Sequence, residues 1–227
     1  MATLLAESFT VFNYDRRGRG ASSDTAPYAV EREVEDIDAV IGAAGGTAYL
    51  YGISSGAILA VEVASKLSAK VTKLSLYEPP FLLDDSRPPL PADYVPRLNA
   101  AIAAGRPGDA VMLFMTDAIR IPDEYLVPLR DSPMWAGMEA VAHTIAYDGA
   151  VVGDTMSGKP FPKGRWAAAA MPALVITGEL SEGFFHNGGR ALVADLPAAR
   201  HATLAGQDHN VSAEILALVL AGFCAGC

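Results

Sequence analysis

Residues Thr47 to Lys66 read TAYLYGISSGAILAVEVASK, and this stretch decides the fold. It begins with five apolar and aromatic residues, a run typical of a buried β-strand. The motif GISSG follows at positions 52–56, and beyond it the apolar residues recur at helical spacing: Ala57, Ile58, Ala60, Val61 and Ala64. The stretch therefore predicts a strand, a sharp turn and a helix.

A Gly-x-Ser-x-Gly turn between a strand and a helix has the pattern of a nucleophile elbow. We expect the turn to raise the Ser54 hydroxyl above the sheet and to aim the Ser55 backbone N–H at a developing oxyanion. Gly52 and Gly56 are expected because a sharp turn leaves no room for a Cβ atom. A glycine turn that merely carries serines is the structural alternative, since five residues form a weak pattern. At this motif the chain resembles the α/β-hydrolase superfamily.

The composition limits the class of protein. The 227 residues suffice for one α/β domain with a small accessory lid, and 51% hydrophobic with 19% charged residues indicates a globular chain. The net charge of −9 argues against nucleic acid or an anionic membrane surface as partner. No apolar run is long enough to span a membrane and the N-terminus lacks a basic region, so we expect a cytoplasmic protein. The oligomeric state stays open, with a homo-oligomer as one option.

Both cysteines, Cys224 and Cys227, belong to the last four residues. A Cys-x-x-Cys redox pair normally opens a helix after a strand, so we interpret this one as part of a frayed tail. The four histidines form no cluster with cysteine. We therefore expect no metal site and no cofactor.

Strand and helix patterns alternate along the chain. Residues 9–14 predict a strand, and the turn DRRGRGAS at 15–22 resembles the turn after the fourth strand of α/β hydrolases. The resemblance implies a mainly structural turn, with Arg19 and Ser22 at most on the rim of the pocket. The spacing of apolar residues predicts a helix over 30–41, which Gly45 and Gly46 would stop.

Later blocks continue the alternation. Strands are predicted over 71–77, 172–178 and 202–206, and a helix over 212–223 with Ser212 as N-cap. Together with the resemblance, this predicts the α/β class: a mostly parallel sheet covered by helices on both faces. Ligands of such sheets bind at the carboxyl ends of the strands, where Ser54, Glu78 and His209 all lie.

Between residues 81 and 165 the pattern changes to prolines and helical segments, predicted over 94–104, 109–119, 123–130 and 135–152. In α/β hydrolases a helical cap is inserted at this point. We therefore expect a core of residues 1–80 and 166–227 and a helical cap of 81–165. The large apolar residues of the cap either line an acyl or alkyl pocket or pack the cap onto the core: Met112, Phe114, Met115, Trp135, Met138 and Met156. His143, Tyr147 and Asp148 either contact polar groups of the substrate or form an ordinary amphipathic helix surface.

A serine nucleophile needs a base, and the base needs an orienting acid. The superfamily carries its base as a histidine after the last strand in a Gly-x-x-His setting, which GQDH at 206–209 matches. The resemblance thus implies His209 as the base. The other placements fit less well, because His201 falls within a predicted strand and His186 in a glycine-rich loop.

The acid departs from the family pattern. The common position is the fourth residue of Gly-x-x-Asp after the penultimate strand, and this chain has Ser181 there. Glu179, Glu182 and Glu78 remain as candidates. Haloalkane dehalogenases, a branch of the superfamily, carry the acid at the end of the preceding strand. We therefore favour Glu78, with Glu182 second.

Relatives also carry a third strand and an oxyanion loop before the strand of residues 9–14. This sequence begins almost at that strand. We expect Phe12 and Tyr14 either to pair with Ala48–Leu50 of the elbow strand or to stay unpaired in a marginal protein. Low activity is expected, because loss of one oxyanion donor costs roughly 3 to 4 kcal/mol.

The sequence predicts a cofactor-free serine hydrolase acting on a small or medium carboxylic ester, lactone or similar acyl compound. In this hypothesis Ser54 attacks, His209 transfers the proton, Glu78 orients the imidazole and the Ser55 N–H stabilises the oxyanion. A degenerate family member that binds a small apolar ligand under the cap is the alternative. A lyase or a cofactor-free peroxidase on the same residues also stays open, since fold does not fix reaction.

Overall fold

The computed structural model describes residues 1–226, and its centre is one sheet of four parallel strands. The strands lie in the order β1-β2-β3-β4, with β1 and β4 at the edges. Their bounds are β1 (Ala48–Ile53), β2 (Val71–Tyr77), β3 (Ala173–Gly178) and β4 (Ala199–Leu204). The predicted parallel sheet is confirmed, although β4 begins three residues before the predicted strand and ends two residues before its end.

Helices connect these strands and account for much of the remaining chain. They are α1 (Ala2–Leu5), α2 (Val30–Ala43), α3 (Ser55–Lys66), α4 (Tyr94–Ala103), α5 (Pro107–Leu113), a π-helix (Phe114–Ile119), α6 (Asp123–Arg130), α7 (Trp135–Ala140), α8 (His143–Val152), α9 (Gly183–Asp195) and α10 (Ala213–Ala225). None of the helices within residues 1–226 has the length and apolar character needed to span a membrane.

Alternate residues of the strands serve two hydrophobic cores on opposite faces of the sheet. On β3, Val175 joins the core that contains α2, α3 and α9, whereas Leu174 and Ile176 join the core beneath α10. This alternation is the two-residue period of a β-strand. The prediction of helices on both faces is therefore confirmed.

Two predicted helix ends have the expected chemistry. Gly45 and Gly46, which follow α2, adopt φ values of 100° and 95°, which favour glycine. At the start of α10, the Ser212 Oγ accepts a hydrogen bond from the Ile215 backbone N–H at 3.3 Å. That contact satisfies one of the unpaired N–H groups of the helix N-terminus.

The predicted strand over residues 9–14 is wrong. Within residues 1–226, no backbone hydrogen bond joins residues 10–14 to β1, and Phe12 is 49% exposed. Side chains hold the segment instead: Phe9 packs edge-on against Tyr49, and Tyr14 packs against the main core. Of the two expected arrangements the segment takes the unpaired one, because apolar side-chain contacts place it without a hydrogen-bonding ladder.

Helices α4 to α8 and the π-helix form what we call the helical insertion, which lies between β2 and β3 in the chain. The insertion contains a hydrophobic core of its own. Five of the six large residues named above pack into cores: Met112, Met115, Trp135 and Met138 into that of the insertion, and Met156 into the main core. The predicted helix over 135–152 is in fact two helices, α7 and α8.

The predicted glycine-rich loop after residue 182 is also wrong, since the segment forms the 13-residue helix α9. Its glycines serve packing. A Cβ atom on Gly188 would lie 2.7 Å from the Cβ of Phe81, and one on Gly189 would lie 3.3 Å from His201 Nε2. Glycine lowers helix propensity, but here it allows a helix to lie close to its neighbours.

The prediction of a frayed tail is wrong for Cys224, which lies half-buried in α10. Lys73 Nζ donates hydrogen bonds to the carbonyl oxygens of Phe223 and Cys224, which fixes the end of this helix. Cys227, the other half of the Cys-x-x-Cys motif, lies outside the described residues.

Candidate active site

Ser54 stands at the predicted sharp turn, directly after β1 and before α3. Its backbone has φ 55° and ψ −128°, and its N–H donates to the Tyr77 carbonyl oxygen at 2.9 Å. A positive φ at a residue other than glycine is uncommon, costs about 1–3 kcal/mol and is enriched at active sites and turns. The turn therefore has a strained backbone at Ser54, as a nucleophile elbow requires.

The two glycines of the motif differ in what the turn requires of them. A Cβ atom on Gly52 would overlap the carbonyl oxygen of Gly56 and lie 2.9 Å from the Ala57 Cα. A Cβ atom on Gly56 would meet nothing within 4 Å outside the helix backbone. The steric explanation given for both glycines is thus right for Gly52 and wrong for Gly56.

Glu78 and His209 lie in direct contact. Oε2 of Glu78 accepts a hydrogen bond from His209 Nδ1 at 2.7 Å, and Oε1 accepts one from the Gly178 backbone N–H, also at 2.7 Å. Glu78 is fully buried, with φ 47°, whereas the His209 side chain is 40% exposed. Both carboxylate oxygens are therefore bonded: Oε1 anchors the carboxylate to the backbone of Gly178, and Oε2 fixes the imidazole from one side.

Three further contacts hold the loop that carries His209. The Tyr77 hydroxyl donates to the Asp208 carbonyl oxygen at 2.6 Å, and the ring of Phe185 stacks on the imidazole with centroids 4.9 Å apart. Gly178 lets the loop approach, because a Cβ atom there would overlap Gln207 O. The imidazole is thus oriented by a carboxylate and by an aromatic face.

The other acid candidates lie elsewhere. The Glu182 side chain is 64% exposed and comes no nearer to a cation than 3.8 Å, to Arg87. Glu179 accepts a hydrogen bond from the Gly206 backbone N–H at 2.8 Å. Ser181, at the usual family position of the acid, has a buried hydroxyl without a hydrogen-bond partner within residues 1–226. Of the carboxylates considered, only Glu78 contacts His209.

The first turn of α3 offers free donors beside Ser54. In the described part of the chain, neither the Ser55 N–H nor the Gly56 N–H has a hydrogen-bond partner. Such N–H groups at a helix N-terminus attract negative charge. No hydrogen bond within 3.5 Å joins Ser54 Oγ to His209 in residues 1–226, although both residues follow strands at the carboxyl edge of the same sheet.

Sequence reasoning missed the contacts of α8. Asp148 accepts hydrogen bonds from Arg16, Arg19 and the hydroxyl of Ser55. Burial alone would lower the pKa of Arg16, but its hydrogen bond with Glu33 and the charge of Asp148 raise that pKa above its ordinary value. Helix α8 thus reaches the elbow itself, which neither of the two hypotheses for its polar residues had included.

The other polar residues of α8 contact the loop that precedes α2. Tyr147 stacks on Tyr28 with ring centroids 4.0 Å apart and donates its hydroxyl to Asp24 at 2.7 Å. His143 Nε2 lies 3.7 Å from the same carboxylate. Ser22, predicted on the pocket rim at most, donates its hydroxyl to a backbone carbonyl within its own turn. The Ser22 side chain therefore bonds within its own turn, whereas Arg19 of the same turn reaches Asp148.

The fold and this arrangement of residues define an α/β hydrolase. The model of the alpha/beta hydrolase family matches residues 1–220, and the chain belongs to that family. This match confirms the family that the elbow motif predicted.

Individual relatives agree with this assignment. A crystal structure of an alpha/beta hydrolase from Sphaerobacter thermophilus is 46% identical with a TM-score of 0.86, covering 98% of this chain and 86% of that one. The enol-lactonase of Burkholderia xenovorans has a TM-score of 0.63 at 20% identity, covering 93% of this chain and 79% of that one. A proline iminopeptidase from Pestalotiopsis fici is 36% identical over 75 residues, which are 32% of this chain and 27% of that protein. The family match and the 46% identical alpha/beta hydrolase support an enzyme of the α/β-hydrolase class, and the enol-lactonase shares the fold.

Proposed function

We propose that the protein is a cofactor-free serine hydrolase whose substrate is a small or medium carboxylic ester, lactone or similar acyl compound. One observation carries the proposal: a strained Ser54 at the elbow shares the carboxyl edge of the sheet with a bonded Glu78–His209 pair. A nucleophile, a base and an acid at one edge are the parts that acyl transfer requires.

In the proposed mechanism Ser54 Oγ attacks the acyl carbon while His209 Nε2 accepts its proton. Glu78 accepts the Nδ1–H and stabilises the imidazolium that forms. The free N–H groups of Ser55 and Gly56 stabilise the oxyanion, and His209 then protonates the leaving alcohol. Water activated by His209 hydrolyses the acyl-enzyme. A hydrogen bond between Ser54 Oγ and His209 Nε2 has to form for the first step, and such catalytic hydrogen bonds often tighten only when substrate binds.

We assign residues 81–165, which contain the helical insertion, the role of a cap over this edge, and residues 1–80 and 166–227 the role of the core. The relatives named above, an enol-lactonase and a proline iminopeptidase, act on different substrates. For this reason the acyl compound is proposed only as a class.

A second candidate function is a non-catalytic protein that binds a small apolar ligand. The missing hydrogen bond between Ser54 Oγ and His209 favours it, because an unactivated serine does not attack. The oriented Glu78–His209 pair argues against a purely binding function, since ligand binding alone does not require a buried carboxylate that fixes an imidazole.

The test is hydrolysis of an ester panel of varied acyl length. Ser54→Ala should lower the best kcat/KM by roughly 10³-fold or more, because a triad member acts as part of a unit. Ser68→Ala, in an exposed turn after α3, is the matched control and should hydrolyse like the wild type. Turnover that persists in Ser54→Ala would remove Ser54 as the nucleophile.

A further inference from the structure

We propose that Asp148, on α8 of the helical insertion, is a positioning residue for the oxyanion donor at Ser55. The carboxylate accepts the Ser55 hydroxyl at 3.0 Å and so fixes the first residue of α3. The backbone N–H of that same residue is the group that receives the developing negative charge. This inference rests on the proposed function.

Asp148 can hold Ser55 because Asp148 is itself held. Arg16 Nη1 donates to its Oδ1 at 2.8 Å, and Arg19 Nη2 donates to its Oδ2 at 2.7 Å. Arg16 is fixed in turn by two hydrogen bonds to the buried carboxylate of Glu33, at 2.6 and 2.5 Å. Charge-assisted hydrogen bonds of this kind have narrow geometry. The place of Ser55 is therefore set jointly by the turn at 15–22, by α2 and by α8.

The charges of this group allow a carboxylate to stand beside an oxyanion donor. A lone carboxylate would repel the negative charge that develops on the substrate. Here the guanidinium groups of Arg16 and Arg19 balance Asp148 and Glu33, so the four side chains are formally neutral together. Asp148 can orient Ser55 without opposing the reaction.

The hydrogen bond of the Ser55 hydroxyl helps to keep the strained elbow in its geometry. A strained turn keeps its geometry only when its surroundings hold it, and Ser54 has a positive φ. The contact between Ser55 Oγ and Asp148 is the side-chain hydrogen bond by which the insertion reaches this turn. Rotation of the turn would move the Ser55 N–H away from the oxyanion, and small displacements of this kind can cost up to 10²-fold in rate.

The test is a double-mutant cycle of Ser55→Ala and Asp148→Ala, measured as kcat and KM on the best ester of the panel. Ser55→Ala keeps the backbone N–H and the ion pairs, so it removes only the positioning contact. Each single substitution should lower kcat about tenfold with KM nearly unchanged. The double variant should lose no more than the worse single variant, because both substitutions break one contact. Ser55→Thr, which returns a hydroxyl, should recover most of the kcat.

Tyr147→Phe is the control for a loosened insertion. It removes the hydrogen bond to Asp24 from the same helix but leaves the ring stack with Tyr28, and its kcat should equal that of the wild type. If Asp148→Ala does not fold, Ser55→Ala and Ser55→Thr decide the matter alone.

Three results would overturn the inference. Ser55→Ala with wild-type kcat would show that the contact positions nothing, and single losses that multiply in the double variant would show that the two residues act independently. A wild-type chain that hydrolyses no ester and reacts with no serine-directed probe would remove the proposed function, and the inference with it. The first two results leave the proposed function standing, so the two failures are distinguishable.

Discussion

At the scale of single residues, Glu78 is the residue on which the proposed activation of His209 depends. Its two oxygens are committed to His209 Nδ1 and to the Gly178 N–H, and burial excludes water from both contacts. A carboxylate so placed keeps the imidazole in the tautomer whose Nε2 is free to accept a proton. The usual family position of the acid carries Ser181, whose hydroxyl cannot stabilise an imidazolium as a carboxylate does.

Glu78→Gln should lower kcat by roughly 10³- to 10⁴-fold at neutral pH, because the amide cannot stabilise the imidazolium and can impose the wrong tautomer. Glu182→Gln is the matched control, since that side chain lies in solvent beside Arg87. Steady-state kinetics on the same ester compare the two. A crippled Glu182→Gln together with a near-normal Glu78→Gln would show that the acid is assigned to the wrong residue.

The two glycines of the elbow give a second prediction at this scale. Gly52→Ala should destabilise the protein by about 1–3 kcal/mol, because its Cβ atom would overlap a backbone carbonyl that cannot move freely. Gly56→Ala should leave the free energy of unfolding unchanged or raise it by up to about 1 kcal/mol, since alanine is the better helix former. Urea denaturation measures both. Equal effects would mean that the turn does not have the close approach described here.

At the scale of elements, strand and helix patterns predicted most of the sheet but not its N-terminal neighbour. The apolar runs at 71–77 and 172–178 are local signals, and the structure confirms both strands. Whether residues 9–14 join a sheet depends on backbone partners, which no local pattern contains. Helix α9 was missed because its glycines indicated a loop, whereas they allow close contact with Phe81.

Residues of the candidate site that stand in local motifs could be predicted from the sequence, whereas contacts between distant residues could not. Ser54 was proposed from a contiguous motif, and His209 from the Gly-x-x-His setting that the family resemblance supplies. Glu78 was chosen only through a resemblance to one branch of the family. The contact between Asp148 and Ser55 joins residues 93 positions apart, and no local sequence pattern predicts it.

Packing between α9 and β4 gives a prediction on pH. Burial first, then the charges of His186 and Arg190, lower the pKa of His201 below its ordinary value of 6.5. The unfolded chain therefore binds this proton more readily, so stability is lost as the pH falls below about 6.5 toward the lower folded pKa. The free energy of unfolding should fall between pH 7.5 and 5.5, and by less in His201→Gln. An identical fall in wild type and variant would contradict the assignment to His201.

At the scale of the whole molecule, the sheet, the turn at 15–22 and the helical insertion meet at one place. The strained elbow lies on edge strand β1, and α8 reaches it through Asp148. Helix α3, which follows the elbow, packs into the main core. The ion pairs of Arg16 and Arg19 with Asp148 hold α8 beside the elbow. Activity is therefore expected to depend on the insertion as well as on the three residues of the proposed triad.

Covalent labelling tests whether Ser54 is an activated nucleophile, as proposed. The wild-type chain is treated with a fluorophosphonate probe, and the adduct is located by peptide mapping with mass spectrometry. We predict one adduct, on Ser54, which forms more slowly by orders of magnitude in His209→Gln and is absent in Ser54→Ala. No adduct on a folded wild-type chain, or an adduct on another serine, would contradict it.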